Sequence, residues 1–192
     1  MADAEIMRLH ELALIAAPSG PIVEIGSYCG LSAAVIGDAC KQQGGILFSI
    51  DHHGGSEEQQ PGEAYFDPDL YDEQTARVNT LPFFLKTIET AGLKDHVIAM
   101  VCSSVTAGKM WHTPLSMVFI DGGHSCEAAY LDFLTWSPHI MAGGFLVFHD
   151  IFLDPALGGQ APRQVYELAV QTDDYVELPM TGTLGVLQQK PA

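Results

Sequence analysis

Two short apolar runs, each stopping abruptly at aspartate and histidine, constrain the fold of this chain more than any other feature. They cover residues 117–124 and 145–150 and are rich in β-branched and aromatic side chains. Such runs are typical of strands in a parallel sheet, which are buried on both faces and whose carboxyl ends open onto the ligand crevice. If the two strands are neighbours, four side chains meet at one edge: Asp121, His124, His149 and Asp150. Two carboxylates and two imidazoles at that edge indicate metal binding or proton transfer.

Helical patterns alternate with short apolar runs along the rest of the chain. The predicted helices cover residues 4–17, 31–43, 80–91, 105–111, 127–140 and 163–171, and the further strands cover residues 22–26, 46–50, 97–102, 175–178 and 183–187. Ser125 is the expected N-cap of the helix at 127–140, and Gly143 and Gly144 are expected beyond its end. The alternation predicts an α/β fold: a doubly wound, mostly parallel, Rossmann-like sheet of about seven strands with helices on both faces. The last hairpin, around residues 179–182, is expected to be antiparallel.

The length of 192 residues fits a single domain, residues 1–192, with one N-terminal helix within residues 1–20. Residues 52–76 form a long polar segment without periodicity. A loop that long inside a compact domain usually carries function or is disordered, so we expect it near the active site. We expect this loop, or a second subunit of a homo-oligomer, to cover that site.

The charge of the chain is strongly acidic, with 24 Asp and Glu against 8 Lys and Arg, a net charge of −16. Such a charge repels phosphate backbones, so nucleic acid and anionic membrane are not expected partners. The four cysteines show no C-x-x-C pair, which favours reduced thiols. With neither a basic leader nor an apolar stretch of membrane-spanning length, the sequence predicts a cytoplasmic protein.

The first predicted strand breaks into a glycine-containing turn, Gly26-Ser-Tyr-Cys-Gly30, and the second ends on Asp51. The turn matches neither G-x-G-x-x-G nor a P-loop, so dinucleotide and nucleoside triphosphate binding lose support. Glycines here allow a ligand to approach the backbone, and an acid at the second strand end can bind a ribose diol. The alternatives are that the glycines only make a tight turn and that Asp51 is a solvated acid in a turn. Together the two features favour an adenosine-containing ligand.

These motifs, taken in order, resemble the class I S-adenosylmethionine-dependent methyltransferases. The most similar branch holds small-molecule and sugar O-methyltransferases, macrocin-type enzymes and cephalosporin-hydroxylase-like proteins. The resemblance covers roughly residues 22–151. It rests on VEIGSYCG at 23–30, SID at 49–51, FIDGGHS at 119–125 (followed by Tyr130, Asp132 and Trp136) and GGFLVFHD at 143–150.

The resemblance implies methylation of a small hydroxylated metabolite with S-adenosylmethionine as cofactor. The methionine part of the cofactor would lie at Glu24 and the glycine turn, the ribose at Asp51 with His52 beside the adenosine, and adenine near Ser103. The full set of implied cofactor-binding residues is Glu24, Gly26, Ser27, Tyr28, Gly30, Ser32, Asp51, His52, Ser103, Ser104 and Asp121.

The resemblance also implies a divalent metal, which members of this type hold at the ends of the fourth and fifth strands. Those positions are Asp121, His149 and Asp150. Magnesium suits the two carboxylates, whereas imidazole prefers a transition metal. His149 stands where an acid is usual, so three alternatives stay open: a softer metal, His149 beside the ligands rather than among them, or no metal.

His124 lies where related enzymes place a general base, and Asp121 and His124 are the expected catalytic residues. A capping or packing role for His124 at the start of the following helix is the alternative. Two other functions compete with methyl transfer. One is a hydroxylase-like metal enzyme that uses His52, His53, His124 and His149, and the other is a non-catalytic module that only binds the cofactor.

Overall fold

The computed structural model describes residues 1–191, and a seven-stranded sheet forms its centre. In chain order the strands of the described residues are β1 (Ile22–Ile25), β2 (Leu47–Asp51), β3 (Tyr71–Asp72), β4 (Arg77–Val78), β5 (Val97–Val101), β6 (Leu115–Ile120), β7 (Ile140–Phe148), β8 (Tyr175–Thr181) and β9 (Leu184–Gln189). The sheet order is β5-β2-β1-β6-β7-β9-β8, whereas β3 and β4 form a separate two-residue ladder. The first five strands of this order pair in parallel and β9 and β8 pair antiparallel, which confirms the predicted fold class.

Helices cover both faces of the sheet. Within residues 1–191 they are α1 (Asp3–Ala16), α2 (Leu31–Gln43), α3 (Leu81–Thr90), α4 (Ser104–Gly108), α5 (Cys126–Trp136) and α6 (Ala161–Gln171). Alternate residues of β6 point to opposite faces, because the side-chain period of a strand is two. Met117 and Phe119 pack into the core formed with α1, α2 and α3, and Val118 and Ile120 pack into the core formed with α5 and α6. None of the helices in the described range is long and apolar enough to cross a membrane.

The register of the central strands places their carboxyl ends at the same height in the sheet. Ile25 of β1 pairs with Ile50 of β2 and with Ile120 of β6, and Ile120 pairs with Phe148 of β7. The backbone ladder continues one residue further, since Asp121 N–H donates to the Ile25 carbonyl and His149 N–H donates to the Ile120 carbonyl. The residues that follow the four strands therefore lie in one row at the same edge of the sheet.

The end of α5 differs from the prediction of a helix through residue 140. The helix stops at Trp136, and a 3-10 turn over Ser137–His139 leads directly into β7. Pro138 lies in this turn and lacks the N–H needed to continue a helix. Gly143 and Gly144 do follow the helix, as predicted, but they lie inside β7 and form no part of the helix end.

Two other segments carry more regular structure than predicted. The polar segment at 52–76 contains 3-10 turns at Glu57–Gln59 and Pro68–Leu70 as well as β3. In the final hairpin the chain turns at residues 182–183, not around 179–182, and β8 continues through Pro179 to Thr181. Proline is tolerated there because β8 is an edge strand, where a missing N–H disrupts no central ladder.

Candidate cofactor pocket and acid–imidazole cluster

A cavity of about 910 Å³ opens at the carboxyl ends of β1, β2 and β6. Small-molecule sites usually occupy about 300–1,000 Å³. Most predicted site residues line this cavity: Gly26, Ser27, Tyr28, Ser32, Asp51, His52, Ser103, Ser104, Asp121, His124 and His149. Three predicted residues, Glu24, Gly30 and Asp150, lie outside its lining.

The glycine turn after β1 is packed directly against the chain after β6. Gly26 has φ +82°, and a β-carbon at this position would lie 2.1 Å from the Asp121 carbonyl oxygen. Gly30 also has positive φ, +91°, and is the N-cap of α2. The turn can therefore exist only with glycine at position 26, and it forms one wall of the cavity.

Asp51 holds this turn in place. One of its carboxylate oxygens accepts hydrogen bonds from the backbone N–H groups of Ser27, at 3.0 Å, and Tyr28, at 2.9 Å. The other oxygen accepts the N–H of His53 at 2.7 Å. A carboxylate has roughly four acceptor positions, so three are filled and capacity for one ligand hydroxyl remains.

Glu24 lies beneath the turn and is fully buried. The Ser49 hydroxyl donates to its Oε2 at 2.6 Å, whereas Oε1 has no hydrogen-bond partner among the described residues. Burial raises the pKa of Glu24 to about 8, so its carboxyl is protonated at neutral pH. The predicted contact between Glu24 and the cofactor stays a prediction, since the side chain supports the cavity wall from behind.

The predicted adenine side of the cavity contains His52 and the start of α4. Nδ1 of His52 accepts the Gly54 N–H at 3.0 Å, which leaves the proton of the neutral ring on Nε2. Ser103 is the N-cap of α4, and the Ser104 hydroxyl donates a hydrogen bond to Asp132. Burial raises the pKa of Asp132 to about 6. Asp132 belongs to a motif of the resemblance but had no predicted role, and it also lines the cavity.

The four residues that follow β6 and β7 are brought together as the sequence predicts. His149 Nδ1 is 3.1 Å from an Asp121 oxygen and 3.3 Å from an Asp150 oxygen. His124 Nε2 is 3.2 Å from the second Asp150 oxygen. Asp150 therefore lies between the two imidazoles, and it adopts φ +60°, a conformation that is uncommon for a residue other than glycine.

His149 is enclosed by carboxylates. Its side chain is only 9% exposed, and Nε2 lies 3.5 Å from Glu5 of α1. Burial alone would lower the pKa of His149, but its hydrogen bonds to Asp121 and Asp150 raise the pKa to about 10. At neutral pH His149 is thus an imidazolium with both nitrogens protonated, and it has no free lone pair.

The two aspartates respond differently to this environment. Burial raises the pKa of Asp121, and the hydrogen bond from His149 opposes that rise. Burial would also raise the pKa of Asp150, but the contacts of His124 and His149 outweigh it and hold the pKa well below its usual range. Asp150 is accordingly the firmest negative charge in the cluster.

His124 has carboxylates on both sides. Contact with Asp150 raises its pKa, burial opposes this rise, and Glu58 adds to it. Glu58 lies in the 3-10 turn after β2, and its Oε1 is 2.7 Å from His124 Nδ1. Glu58 belongs to the polar segment at 52–76, and nothing in its neighbours along the chain indicates a partner after β6.

The residues that fit a divalent cation differ from the predicted trio. Ligand atoms of Asp121, His124 and Asp150 all lie within 4.8 Å of one another. Two carboxylates and an imidazole are a suitable donor set for a divalent metal. His149 does not belong to this group of ligand atoms. Its side chain is only 9% exposed and faces Glu5, Asp121 and Asp150, whereas the side chain of His124 is 31% exposed.

Glu5 is a further residue that sequence analysis missed. It is 4% exposed and accepts hydrogen bonds from the Thr183 N–H and hydroxyl, at 2.6 and 2.9 Å. Through its contact with His149 it joins α1 and the final hairpin to the cluster. The Ala2 N–H donates to Glu5 locally, at 2.6 Å, but His149 and Thr183 are 144 and 178 residues away in sequence, so no local pattern could have identified these two.

Comparison with known families gives a match over the region that builds this site. The family described as Methyltransferase domain matches residues 23–151, more than half of the chain.

Solved structures share the fold at low sequence identity. The O-methyltransferase NovP is 14% identical, with a TM-score of 0.71 over 98% of this chain and 80% of that one. An O-methyltransferase from Bacillus cereus, solved in complex with SAH, is 15% identical, with a TM-score of 0.67 over 98% and 82%. An rRNA methylase from Streptococcus thermophilus is 11% identical, with a TM-score of 0.65 over 100% and 99%. The fold is therefore shared by structures described as O-methyltransferases and by one described as an rRNA methylase.

Proposed function

The chain belongs to the methyltransferase domain family and is an S-adenosylmethionine-dependent methyltransferase, and from this premise we propose that it methylates a hydroxyl oxygen of a small metabolite. The observation that carries the proposal is that one cavity is lined by the glycine turn, by Asp51 and by His124. Asp121 connects the glycine turn with the acid–imidazole cluster. Its backbone carbonyl packs against the turn, and its carboxylate contacts His149 in the cluster. A single cavity can thus hold the cofactor and the acceptor together.

The proposed reaction is an in-line displacement. The acceptor oxygen forms a bond to the methyl carbon, the carbon–sulfur bond breaks, and the electron pair of that bond stays on sulfur. The hydroxyl proton passes to the imidazole of His124, which acts as general base. Holding both reactants in line contributes to the rate because the step becomes effectively unimolecular.

A divalent cation fits the same cluster. Asp121 and Asp150 would hold it, and it would supply Lewis acidity that lowers the pKa of the acceptor hydroxyl. With His124 reserved for the proton, carboxylates and water are the remaining donors, a set that suits magnesium. We assign His149 to orienting the two carboxylates by hydrogen bonding, in place of the ligand role predicted from the sequence.

The hydroxylase-like alternative rested on four histidines in one crevice. His53 is 3% exposed, and its Nδ1 lies 2.8 Å from the Thr80 hydroxyl. His149 is enclosed by three carboxylates. Two of the four histidines are therefore poorly placed to bind a shared transition metal, and this geometry favours methyl transfer.

The charge of the cavity supports a small neutral or cationic acceptor. Its lining contains five acids, Asp51, Glu57, Glu58, Asp121 and Asp132, and within the described residues it contains neither lysine nor arginine. The net charge of −16 acts in the same direction. Phosphate-rich acceptors such as RNA are repelled by both.

Calorimetric titration with S-adenosylhomocysteine, with and without magnesium, tests the assignment. We expect binding at one site per chain, and turnover of S-adenosylmethionine with a panel of hydroxylated acceptors. His124→Ala should lower kcat by about 10²- to 10⁴-fold, because a positioned base contributes about that much. Its affinity for S-adenosylhomocysteine should stay close to that of the wild type.

The matched control is His112→Ala, which removes an exposed histidine outside the cavity. It should leave both kcat and affinity unchanged. Absence of S-adenosylhomocysteine binding under every condition would contradict the proposal, and so would full activity of His124→Ala.

A further inference from the structure

A segment that follows β2 covers one side of the cavity. Its consecutive residues 55–59 all line the cavity, as do residues 25–29 at the end of β1 and residues 121–125 after β6. The segment reaches across the edge of the sheet, since Glu58 lies 2.7 Å from His124. Strands β2 and β6 lie on either side of β1, so the segment spans the glycine turn that follows β1. A ligand in the cavity is therefore enclosed between that turn and this segment.

Gln60 holds the segment in its conformation. We call residues 54–60 the arch. The side-chain Nε2 of Gln60 lies 3.1 Å from the carbonyl oxygens of Gly54 and Gly55 and 3.0 Å from that of Ser56. A carboxamide nitrogen carries two protons, so three successive carbonyls share one donor group. Gln60 is outside the lining of the cavity, and it thus fixes three consecutive residues of the arch without facing the ligand.

The packing around Gly55 keeps the Gln60 amide close to the backbone. Gly55 has φ +74°, and a β-carbon at this position would lie 3.3 Å from Gln60 Nε2 and 3.1 Å from Val78 Cγ1. Val78 belongs to β4 and is 2% exposed. A larger residue at position 55 would therefore separate the donor of Gln60 from its acceptors.

The arch begins beside a residue that is fixed on several sides. His53 is 3% exposed with φ +56°, and its ring packs against Phe84 at a centroid distance of 5.2 Å. Its N–H donates to Asp51 at 2.7 Å, and the N–H of Thr80, the N-cap of α3, donates to its carbonyl at 3.1 Å. A residue in this conformation persists only where its surroundings fix it. The start of the arch is thus set by β2 and α3, whereas its further course depends on Gln60.

We infer that Gln60 is a positioning residue for cofactor binding: its carboxamide keeps the arch preformed over the cavity. A segment that has to be ordered when a ligand binds costs free energy, whereas a segment already held in place does not. Residues 55–59 supply the lining and Gln60 supplies none of it, so the effect of Gln60 passes through the arch. This role requires the cofactor, and it requires neither the proposed acceptor nor the proposed base.

Calorimetric titration of Gln60 variants with S-adenosylhomocysteine tests this role in the whole chain. Gln60→Glu keeps the shape of the side chain but places a carboxylate, which has no donor, against three carbonyl oxygens. We expect Gln60→Glu and Gln60→Ala to raise Kd by about 10-fold, because the ligand then has to order the arch. KM for S-adenosylmethionine should rise by a similar factor. At saturating cofactor kcat should stay close to that of the wild type, because the bound cofactor restores the arch.

The matched control is Gln74→Glu, which makes the same exchange at an exposed residue of the polar segment outside the cavity lining. It should keep the wild-type Kd. A wild-type Kd in Gln60→Glu would overturn the inference. An equal rise of Kd in Gln74→Glu would also refute it, because the added charge alone would then account for the loss.

Amide hydrogen exchange measured by mass spectrometry reports on the arch directly. In the free protein we expect residues 54–60 to exchange faster in Gln60→Ala than in the wild type, and equal rates would contradict the role of Gln60. The wild type alone provides a check that needs no variant to fold. Bound S-adenosylhomocysteine should slow exchange in residues 55–59, and an unchanged rate there would show that the arch does not cover the ligand.

These measurements are independent of the proposed reaction. A protein that bound S-adenosylhomocysteine with the expected dependence on Gln60, but methylated no hydroxylated acceptor, would contradict the proposed function and leave the role of Gln60 intact.

Discussion

Gly26 illustrates how a single residue can fix one wall of the cavity. Its positive φ excludes most side chains, and the backbone of Asp121 occupies the space that a β-carbon would need. Glycine elsewhere in the chain has the same conformation without that crowding. Gly44, the C-cap of α2, has φ +74°, and a β-carbon there would have no described atom within 4 Å.

Comparison of Gly26→Ala with Gly44→Ala separates crowding from conformational strain. Gly44→Ala should cost about 1 kcal/mol and leave S-adenosylhomocysteine binding intact. Gly26→Ala should cost about 3 kcal/mol or more and abolish binding, because the backbone itself must move. Urea unfolding and calorimetry measure the two effects. Equal losses in the two variants would show that the contact with Asp121 is not decisive.

Glu24 predicts a pH dependence of stability. Its pKa is about 8 in the folded protein, above the ordinary value of 4.5, so the folded state holds the proton more tightly than the unfolded state. The resulting stabilisation is complete below pH 4.5 and is lost as the pH rises through 8. Glu24→Gln does not titrate. Its free energy of unfolding should therefore gain a few kcal/mol relative to the wild type between about pH 4.5 and about pH 9.

Urea unfolding of both proteins at several pH values measures this difference. A difference that stays constant with pH would contradict the predicted protonation of Glu24. Glu24→Gln should also keep its affinity for S-adenosylhomocysteine, because the side chain lies outside the cavity lining. Loss of affinity would instead support the direct cofactor contact expected from the sequence.

At the scale of elements, Glu5 attaches α1 to the acid–imidazole cluster at the edge of the sheet. Glu5→Ala should lower the free energy of unfolding by about 3–5 kcal/mol, because it leaves the buried His149 imidazolium without one of its carboxylates. The control on the same helix is Glu11→Ala, whose side chain is 59% exposed and pairs with Arg8 at 3.4 Å. It should cost less than about 1 kcal/mol. Chemical unfolding measures both variants, and a similar small loss in each would contradict the structural role of Glu5.

Some helix boundaries can be predicted from the local sequence alone. The bounds of α2 are predicted correctly because Gly30 and Gly44 adopt the left-handed conformation at its two ends. The Ser125 cap of α5 is also confirmed, as its hydroxyl accepts the Ala128 N–H at 3.3 Å. The other end of α5 was predicted too late: the prediction ran on to Ile140, although Pro138 is a local signal that ends the helix before it.

At the scale of the whole molecule, strand order explains why much of the site could be predicted. The order of motifs along the chain places Gly26, Asp51 and Asp121 after neighbouring strands, so their proximity follows once the sheet is parallel. Glu58 and Glu5 could not be predicted in the same way. Each depends on a side chain reaching across the fold from an element outside that row. The alternatives for His149 stayed open for the same reason, since the partner that encloses its Nε2 comes from α1.

The contact between Glu5 and Thr183 also has a consequence for biogenesis. The two residues are 178 positions apart, so the ribosome makes the carboxylate long before its hydrogen-bond donors. Until β9 has left the exit tunnel, Glu5 lacks those donors and the antiparallel neighbour of β7 is missing. The wall of the cavity thus needs the chain only as far as Asp121, whereas the surroundings of Glu5 and His149 are complete only after Thr183 has left the exit tunnel.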